Sequence, residues 1–337
     1  MKHILYIGNK LSKSGSNVTS IETLGSFLKN EGYKVIMSSS KKNKVLRLID
    51  MLLTTIKYSK KVSHVLIDTY STQNFYYAVL VAQVCRILHL SYIPILRGGM
   101  LPGRLKKSPK LCKKLFNGAK HNIAPSMYLY EAFSAEGYTN LKYIPNTIEI
   151  KNYDFLLRKE IKVNLLWVRS FSEIYNPALA IKIVEALIKK GVTTSLTMVG
   201  PDVGGLLEQC KRIVEEKNLP ITFTGKLSKE AWIALSKEYD VFINTTNFDN
   251  TPVSVIEAMA LGLPVITTNV GGIPYLVDEN KTGILVNPND EHLFVEKIIY
   301  LLNHPLEAEN LSVNARNLVE TFDWEKVKTK WNAILSE

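Results

Sequence analysis

Cysteine is scarce in this sequence: Cys85, Cys112 and Cys210 are the only three in 337 residues, and no two are close together. That excludes a disulfide framework and a thiolate metal site, and it fits a reducing compartment. The six histidines are scattered, and no Asp-x-Asp, Gly-x-Ser-x-Gly or Cys/His pattern occurs. A metal centre and a hydrolytic triad therefore have no positive support. Long apolar runs are missing too. Met1 to Gly8 lacks the apolar core and cleavage site of a secretory signal. The most apolar region, Tyr76 to Leu96, is broken by Gln83 and Arg86, whereas a membrane span needs about 20 mostly apolar residues. The expectation is a cytoplasmic chain that crosses no bilayer.

Acidic residues are sparse in one half only. Residues 1–160 hold 25 Lys+Arg against 9 Asp+Glu, and the remainder 17 against 22, so the halves carry +16 and −5. Such asymmetry says that the first half meets something anionic: nucleic acid, a phosphorylated acceptor or the inner face of a membrane. No interleaved aromatic platform or nucleic-acid motif accompanies the basic residues, which argues against nucleic acid. Arg104 to Lys120 carries seven basic residues and no acid beside Leu111, Cys112, Leu115 and Phe116, one stripe if helical. That stripe either lies on anionic lipid, as a peripheral membrane contact, or packs on the core with its lysines solvated.

What is present in quantity is aliphatic, in short runs. His3 to Ile7, Tyr33 to Met37, His64 to Ile67 and Tyr92 to Leu96 recur in the first half with helical segments between them. The second half repeats the plan with Asn164 to Val168, Ser195 to Val199, Ile221 to Thr224, Val241 to Asn244, Pro264 to Thr267 and Gly283 to Val286. Runs of this kind predict parallel strands buried on both faces, hence two doubly wound α/β units in tandem. At about 150 residues per domain the length also asks for two cores. The expected division is 1–158, 159–320 and a final helix over 321–337, whose Trp324, Val327, Trp331 and Ile334 form one apolar stripe.

The segment Asn247 to Pro274 carries the chemistry. Asn250 or Thr251 can cap a helix whose first position is Pro252, and the amides of Val253 and Ser254 at such an N-terminus attract phosphate. Asp249 and Glu257 stand eight positions apart, so either two carboxylates border one ligand with hydroxyls to hold, or Asp249 is a surface turn residue and Glu257 a solvated helix position. Gly271-Gly272 permits a tight turn.

This segment resembles the signature of glycosyltransferase family 4, retaining enzymes of the GT-B fold, in which a pair of glutamates precedes an Ala-Met-Ala-x-Gly-x-Pro-Val run; Ala258 to Val265 matches that run. The resemblance implies two Rossmann-like domains facing across a cleft, with a C-terminal helix crossing back. The basic half would receive the acceptor and the acidic half the nucleotide sugar. It gives Glu257 the nucleotide ribose, and it puts Asp249 where relatives contact the donor sugar with a longer glutamate. Arg169, at the end of the strand Asn164 to Val168, inherits a pyrophosphate role suited to a guanidinium. Relatives add a lysine where Ile174 stands here, and Lys226 is a candidate substitute. Gly225, Lys226 and Leu227 match a loop whose backbone receives the base, and Gly15 with Ser16 match a loop that approaches the donor phosphate. Arg97, Gly98 and Gly99 end a strand where many relatives place a histidine; Arg97 either faces acceptor or phosphate, or is a structural loop residue.

Asp249, Glu257 and Arg169 are thus the expected catalytic set. The implied activity is retaining transfer of a sugar from a nucleotide sugar to a saccharide or lipid-linked acceptor, in cell-surface polysaccharide or lipopolysaccharide synthesis, without cofactor or metal. The altered positions leave open a non-catalytic sugar-nucleotide-binding partner of the same fold.

Overall fold

The computed structural model describes residues 2–12 and 19–337; the expected phosphate-loop residues Gly15 and Ser16 lie outside them. Two compact units result, Met1–Pro145 with Lys328–Glu337, and Asn146–Val327.

In the first unit β1 (His3–Ile7) leads to α1 (Ser20–Asn30), β2 (Lys34–Ser38), α2 (Lys44–Tyr58), β3 (His64–Thr69), α3 (Asn74–Ile87) and β4 (Tyr92–Leu96). Then follow α4 (Leu101–Lys107), α5 (Pro109–Phe116), β5 (Asn122–Ala124), α6 (Met127–Ala135) and β6 (Leu141–Tyr143). Local chemistry starts the helices. Thr19 and Glu22 form a capping box ahead of α1, and the Asn43 side chain accepts from the amides of Val45 and Leu46 to cap α2. The six strands are parallel in the order β2-β1-β3-β4-β5-β6. The order reverses between β1 and β3, and at such a point the loops leaving the strands' carboxyl ends diverge and open a crevice.

The second unit runs β7 (Asn164–Val168), α7 (Pro177–Lys189), β8 (Ser195–Val199), α8 (Leu206–Glu216), β9 (Ile221–Gly225), α9 (Lys229–Leu235) and β10 (Val241–Asn244). It continues through α10 (Val253–Ala260), β11 (Val265–Thr268), β12 (Ile284–Val286), α11 (Glu291–Asn303) and α12 (Pro305–Val319). Its sheet, β12-β11-β10-β7-β8-β9, is also six-stranded and parallel, with the reversal between β7 and β10. Both faces are buried, as the uninterrupted aliphatic runs require. Leu165, Trp167, Val241 and Ile243 enter one core cluster while the alternating Leu166 and Phe242 enter another, the period of two that an extended strand imposes.

The hand-over between units falls after Pro145. Residues 146–158 go with the second unit because they are anchored there. Ile148 and Tyr153 join its core, and the buried Arg158 guanidinium donates to the carbonyls of Leu156, Ser236, Tyr239 and Leu261. Burial pulls its pKa down to about 10, so the arginine at the expected domain boundary is an interior residue. The last helix, α13 (Trp324–Ser336), starts in the second unit and ends in the first, with all four stripe residues buried. Within the first unit Asn332 Oδ1 accepts from Tyr33 Oη at 2.9 Å, and Lys2 Nζ donates to Leu335 O at 2.7 Å.

The basic segment 104–120 forms α4 and α5, and there the core reading prevails over lipid. Cys112, Leu115 and Phe116 are fully buried, with Phe116 edge-on to Phe133 at 4.9 Å. A stripe spent on the interior has nothing to offer a bilayer.

One interior group makes the fold acid-sensitive. His64 is buried at the start of β3, its Nε2 3.3 Å from Lys120 Nζ and its Nδ1 3.1 Å from Ser63 Oγ. Burial first, then the Lys120 and Lys2 charges, pull its pKa down to about 4. The folded ring binds fewer protons than the unfolded one, so its contribution is full above the ordinary histidine value of about 6.5 and is lost as pH falls through about 4. We expect thermal unfolding to show wild type losing more stability than His64→Gln between those pH values; parallel loss in both would remove His64 as the cause.

Candidate functional site

Arg169 directly follows β7, and its amide donates to Val199 O at 2.9 Å. Its guanidinium lies over the Tyr175 ring, 4.6 Å from the centroid. Nε donates to Asn244 Oδ1 at 3.1 Å, and a terminal nitrogen donates to Asp249 Oδ2 at 2.5 Å. Asn244 ends β10, and its own amide donates to Thr267 Oγ1 at 2.8 Å, which fixes the face it turns to Arg169. The pair Arg169–Asp249 therefore spans the reversal point of the sheet, with side chains 10% and 17% exposed. An arginine with two fixed acceptors and an aromatic floor has few rotamers left, so its fork is pre-aimed.

Asp249 is held on its other side as well. Oδ1 accepts from the Asn250 amide at 2.7 Å, and its carbonyl accepts from the Gly272 amide at 2.9 Å. Glycine is required opposite this loop: a Cβ on Gly271 would stand 2.2 Å from Asp249 O, and one on Gly272 would stand 2.0 Å from Asn250 O. The Gly-Gly turn is thus a clamp on the Asp249 loop as well as a tight turn.

Beyond the loop, α10 begins at Val253, one position later than the sequence suggests. Pro252 is its cap residue, extended at φ −67° and ψ 116° and without a side-chain cap bond, and the Thr251 hydroxyl makes none either. A residue ahead of proline is pushed out of the helical region, so the helix cannot start at Thr251. Thr251 Oγ1 and Ser254 Oγ are buried at this N-terminus with no hydrogen-bond partner among the described residues. Two unsatisfied hydroxyls beside free helix amides make an anion-binding end.

Glu257, one turn into α10, is 6% exposed at its side chain, and its Oε1 accepts from Tyr153 Oη at 2.7 Å and from Lys229 Nζ at 2.6 Å. Burial first, and then the Glu257 charge, hold the Tyr153 phenol far above its ordinary range, so it stays a donor. Tyr153 and Lys229 were not legible as site residues. The tyrosine lies 104 positions from its partner, and Lys229 opens a helix whose Ser228 cap is the only local signal.

Gly225 ends β9 in a left-handed conformation with open space where a side chain would be, Lys226 is exposed, and Leu227 packs on the core cluster that holds α10. Where a second cation was expected, Ile174 is half exposed and its carbonyl accepts from Asn247 N and Thr246 Oγ1.

In the first unit the expected acceptor-side residues end β4. The amides of Arg97 and Gly98 both donate to Thr69 O, and a Cβ on Gly98 would stand 2.4 Å from Ser71 N; Gly99 is half-buried. Arg97 turns inward. Its Nε donates to Asp68 Oδ1 at 3.1 Å, and the same oxygen accepts from Tyr6 Oη at 2.9 Å. Asp68 is fully buried, and burial lifts its pKa even though Arg97 and Tyr6 pull the other way. Among the described residues its Oδ2 has no partner. The ion pair sits at the β1/β3 reversal, on the edge where an α/β unit binds ligands.

The clamp yields a test. Gly272→Ala has nowhere to place its methyl without moving Asn250, so it should destabilise the second unit by about 1–3 kcal/mol. A Gly272→Ala protein that melts like wild type would show that the 249–250 loop is not held from this side.

Residues 151–318 match the family model described as glycosyl transferases group 1. Among curated proteins, sulfoquinovosyl transferase SQD2 of Arabidopsis thaliana is 35% identical over 115 residues, 33% of this chain and 22% of that protein. The first three curated relatives are matched over 22%, 31% and 54% of their own lengths. Among solved structures, sucrose-phosphate synthase of Thermosynechococcus elongatus superposes at a TM-score of 0.80 and 18% identity, covering 100% of this chain and 98% of that one. HepE of Anabaena, solved in complex with UDP, superposes at 0.76 and 16% identity, with full coverage of both chains. The architecture is therefore GT-B, two doubly wound α/β units, and residues 151–318 of the second unit match the glycosyl transferases group 1 family.

Proposed function

We propose that the chain is a retaining glycosyltransferase of the family 4 kind that moves a sugar from a nucleotide-sugar donor to a saccharide or lipid-linked acceptor. The observation that carries this reading is the reversal point of the second sheet. There Arg169, clamped by Asn244 and Asp249, and the α10 N-terminus with its two unpartnered hydroxyls converge beside a carboxylate, Glu257, already oriented by Tyr153 and Lys229. A donor needs these features: fixed cationic and amide donors for a diphosphate, and a carboxylate for ribose hydroxyls.

The reaction follows from what these groups stabilise. The bond from the anomeric carbon to the diphosphate oxygen breaks while the acceptor oxygen bonds to that carbon on the same face. The acceptor's proton passes to the leaving diphosphate. Arg169 and the α10 amides face the charge that grows on this leaving group, and being fixed beforehand they need no reorganisation. Asp249 aligns Arg169 and borders the sugar. The reading invokes no metal and no cofactor. Cell-surface polysaccharide or lipopolysaccharide synthesis at the cytoplasmic membrane face is the setting the family resemblance suggests.

A second reading has its own observation. Asp249 is engaged by Arg169, and Ile174 replaces an expected cation, so a non-catalytic sugar-nucleotide-binding protein would present the same site. Turnover separates the two.

The test is thermal unfolding with UDP, GDP, ADP and CMP, followed by assay with the sugar nucleotides of whichever base binds. At 100 times its dissociation constant one nucleotide should stabilise by about 2.7 kcal/mol. Glu257→Ala should lose that stabilisation. Arg169→Gln should lower kcat by roughly 10²–10³. Binding without turnover would favour the non-catalytic reading, and no response to any nucleotide would overturn both.

A further inference from the structure

Helix α2 has its apolar face on the outside. Val45, Leu46, Ile49, Leu53 and Ile56 are between 46% and 65% exposed. Their spacing puts Leu46, Ile49, Leu53 and Ile56 on one stripe three and four residues apart, while Met51 and Thr55 turn to the core. From Val45 to Ile56 the stripe is about 17 Å long at 1.5 Å per residue. Neighbouring α3 starts beside it, with Lys44 Nζ donating to Gln73 Oε1 at 3.0 Å, and exposes Tyr76, Leu80 and Ile87. Monomeric proteins rarely leave contiguous aliphatic surface of this kind in water without a use for it.

The charge around the stripe says what covers it. Lys41, Lys42 and Lys44 stand exposed before the helix, and Lys57, Lys60 and Lys61 stand exposed at its end. The sole acid from 41 to 61 is Asp50, which accepts from Ser38 Oγ. The whole first unit holds 24 Lys+Arg against 7 Asp+Glu. Lysine is depleted from protein–protein interfaces, whose anchors are aromatics and arginine. A convex aliphatic stripe ended by lysines suits a different neighbour. We propose that α2 docks the chain on an anionic lipid surface, with its five aliphatic side chains entering the interface and the six lysines meeting headgroup charge. The proposal moves the membrane contact away from α4 and α5, whose apolar stripe is spent on the core, and it does not depend on the transfer chemistry.

The experiment is co-sedimentation of the full chain with vesicles of equal parts phosphatidylglycerol and phosphatidylcholine, and with phosphatidylcholine alone. The expected result is binding to the anionic vesicles that weakens as salt rises. Leu46→Gln/Leu53→Gln should abolish it while leaving thermal unfolding and nucleotide binding unchanged, because both side chains are already in water. Lys41→Gln/Lys42→Gln/Lys44→Gln should weaken it by roughly a hundredfold, about fivefold for each charge lost near the surface. No binding to anionic vesicles, or binding indifferent to both variants, would overturn the proposal. So would a self-associating chain that becomes monomeric in the leucine variant without any lipid binding, since a second copy would then be what covers α2.

Discussion

In a sheet whose strands all run one way, every carboxyl end emerges on one edge, and at the point where the strand order reverses the loops leaving that edge part company. What crosses that gap in the second unit is the ion pair from Arg169 after β7 to Asp249 beyond β10. Removing one partner of a pair so little exposed leaves an uncompensated charge, at a cost of about 3–5 kcal/mol. Neither partner is free to move. Asn244 fixes the guanidinium, the Asn250 amide fixes the carboxylate, and the glycine turn at 271–272 presses on the backbone between them and α10. The site is a local consequence of β7, β10 and β11 packing side by side.

The same logic explains why the two carboxylates differ in character. Asp249 meets an arginine whose charge is delocalised and geometrically rigid, so it serves as an aligner. Glu257 is buried on a helix, meets a neutral phenol and a flexible lysine at a single oxygen, and keeps Oε2 for other donors. An ammonium whose side chain is half exposed can swing away at little cost, whereas the tyrosine, itself deeply buried, cannot. Glu257 is therefore held by one rigid donor and one yielding donor.

How much of this was legible in the sequence depends on the range of the signal. Strands with runs of four or more aliphatics were legible because burial on both faces leaves no room for polar residues. The missed β5 and β6 are three residues each, too short to show a run. Arg169, Asp249 and Glu257 came from a local motif, and the structure ties the first two together. Tyr153, Lys229 and Asn244 did not, because their pairing exists only once strands far apart in sequence lie side by side. Periodicity left one question open. The stripes on α2 and on α5 both have helical spacing and basic flanks, yet Leu115 and Phe116 are fully buried while Leu46 and Leu53 are more than half exposed. A period of 3.6 says that a helix has two faces, and only the neighbouring element says which of them is covered.

The first unit poses the complementary problem. Asp68 takes a full position in the central strand β3, opposite Ile95 of β4, and it brings Arg97 and Tyr6 inward with it. Apolar side chains of similar volume in place of the whole Asp68–Arg97 pair would fill the space without desolvating charge, and exchanges of that kind are often neutral or stabilising. The core gains nothing from Oδ2, which is buried without a partner and stands so near Gly8 that a Cβ there would come within 2.8 Å of it. The cost falls at the β1/β3 reversal, where an α/β unit opens its crevice, and not in the equally buried interior of α3 or α6. A parallel sheet concentrates its spare polar groups where its strands end, and in both units of this chain the charged pair that the core does not need lies at the reversal point.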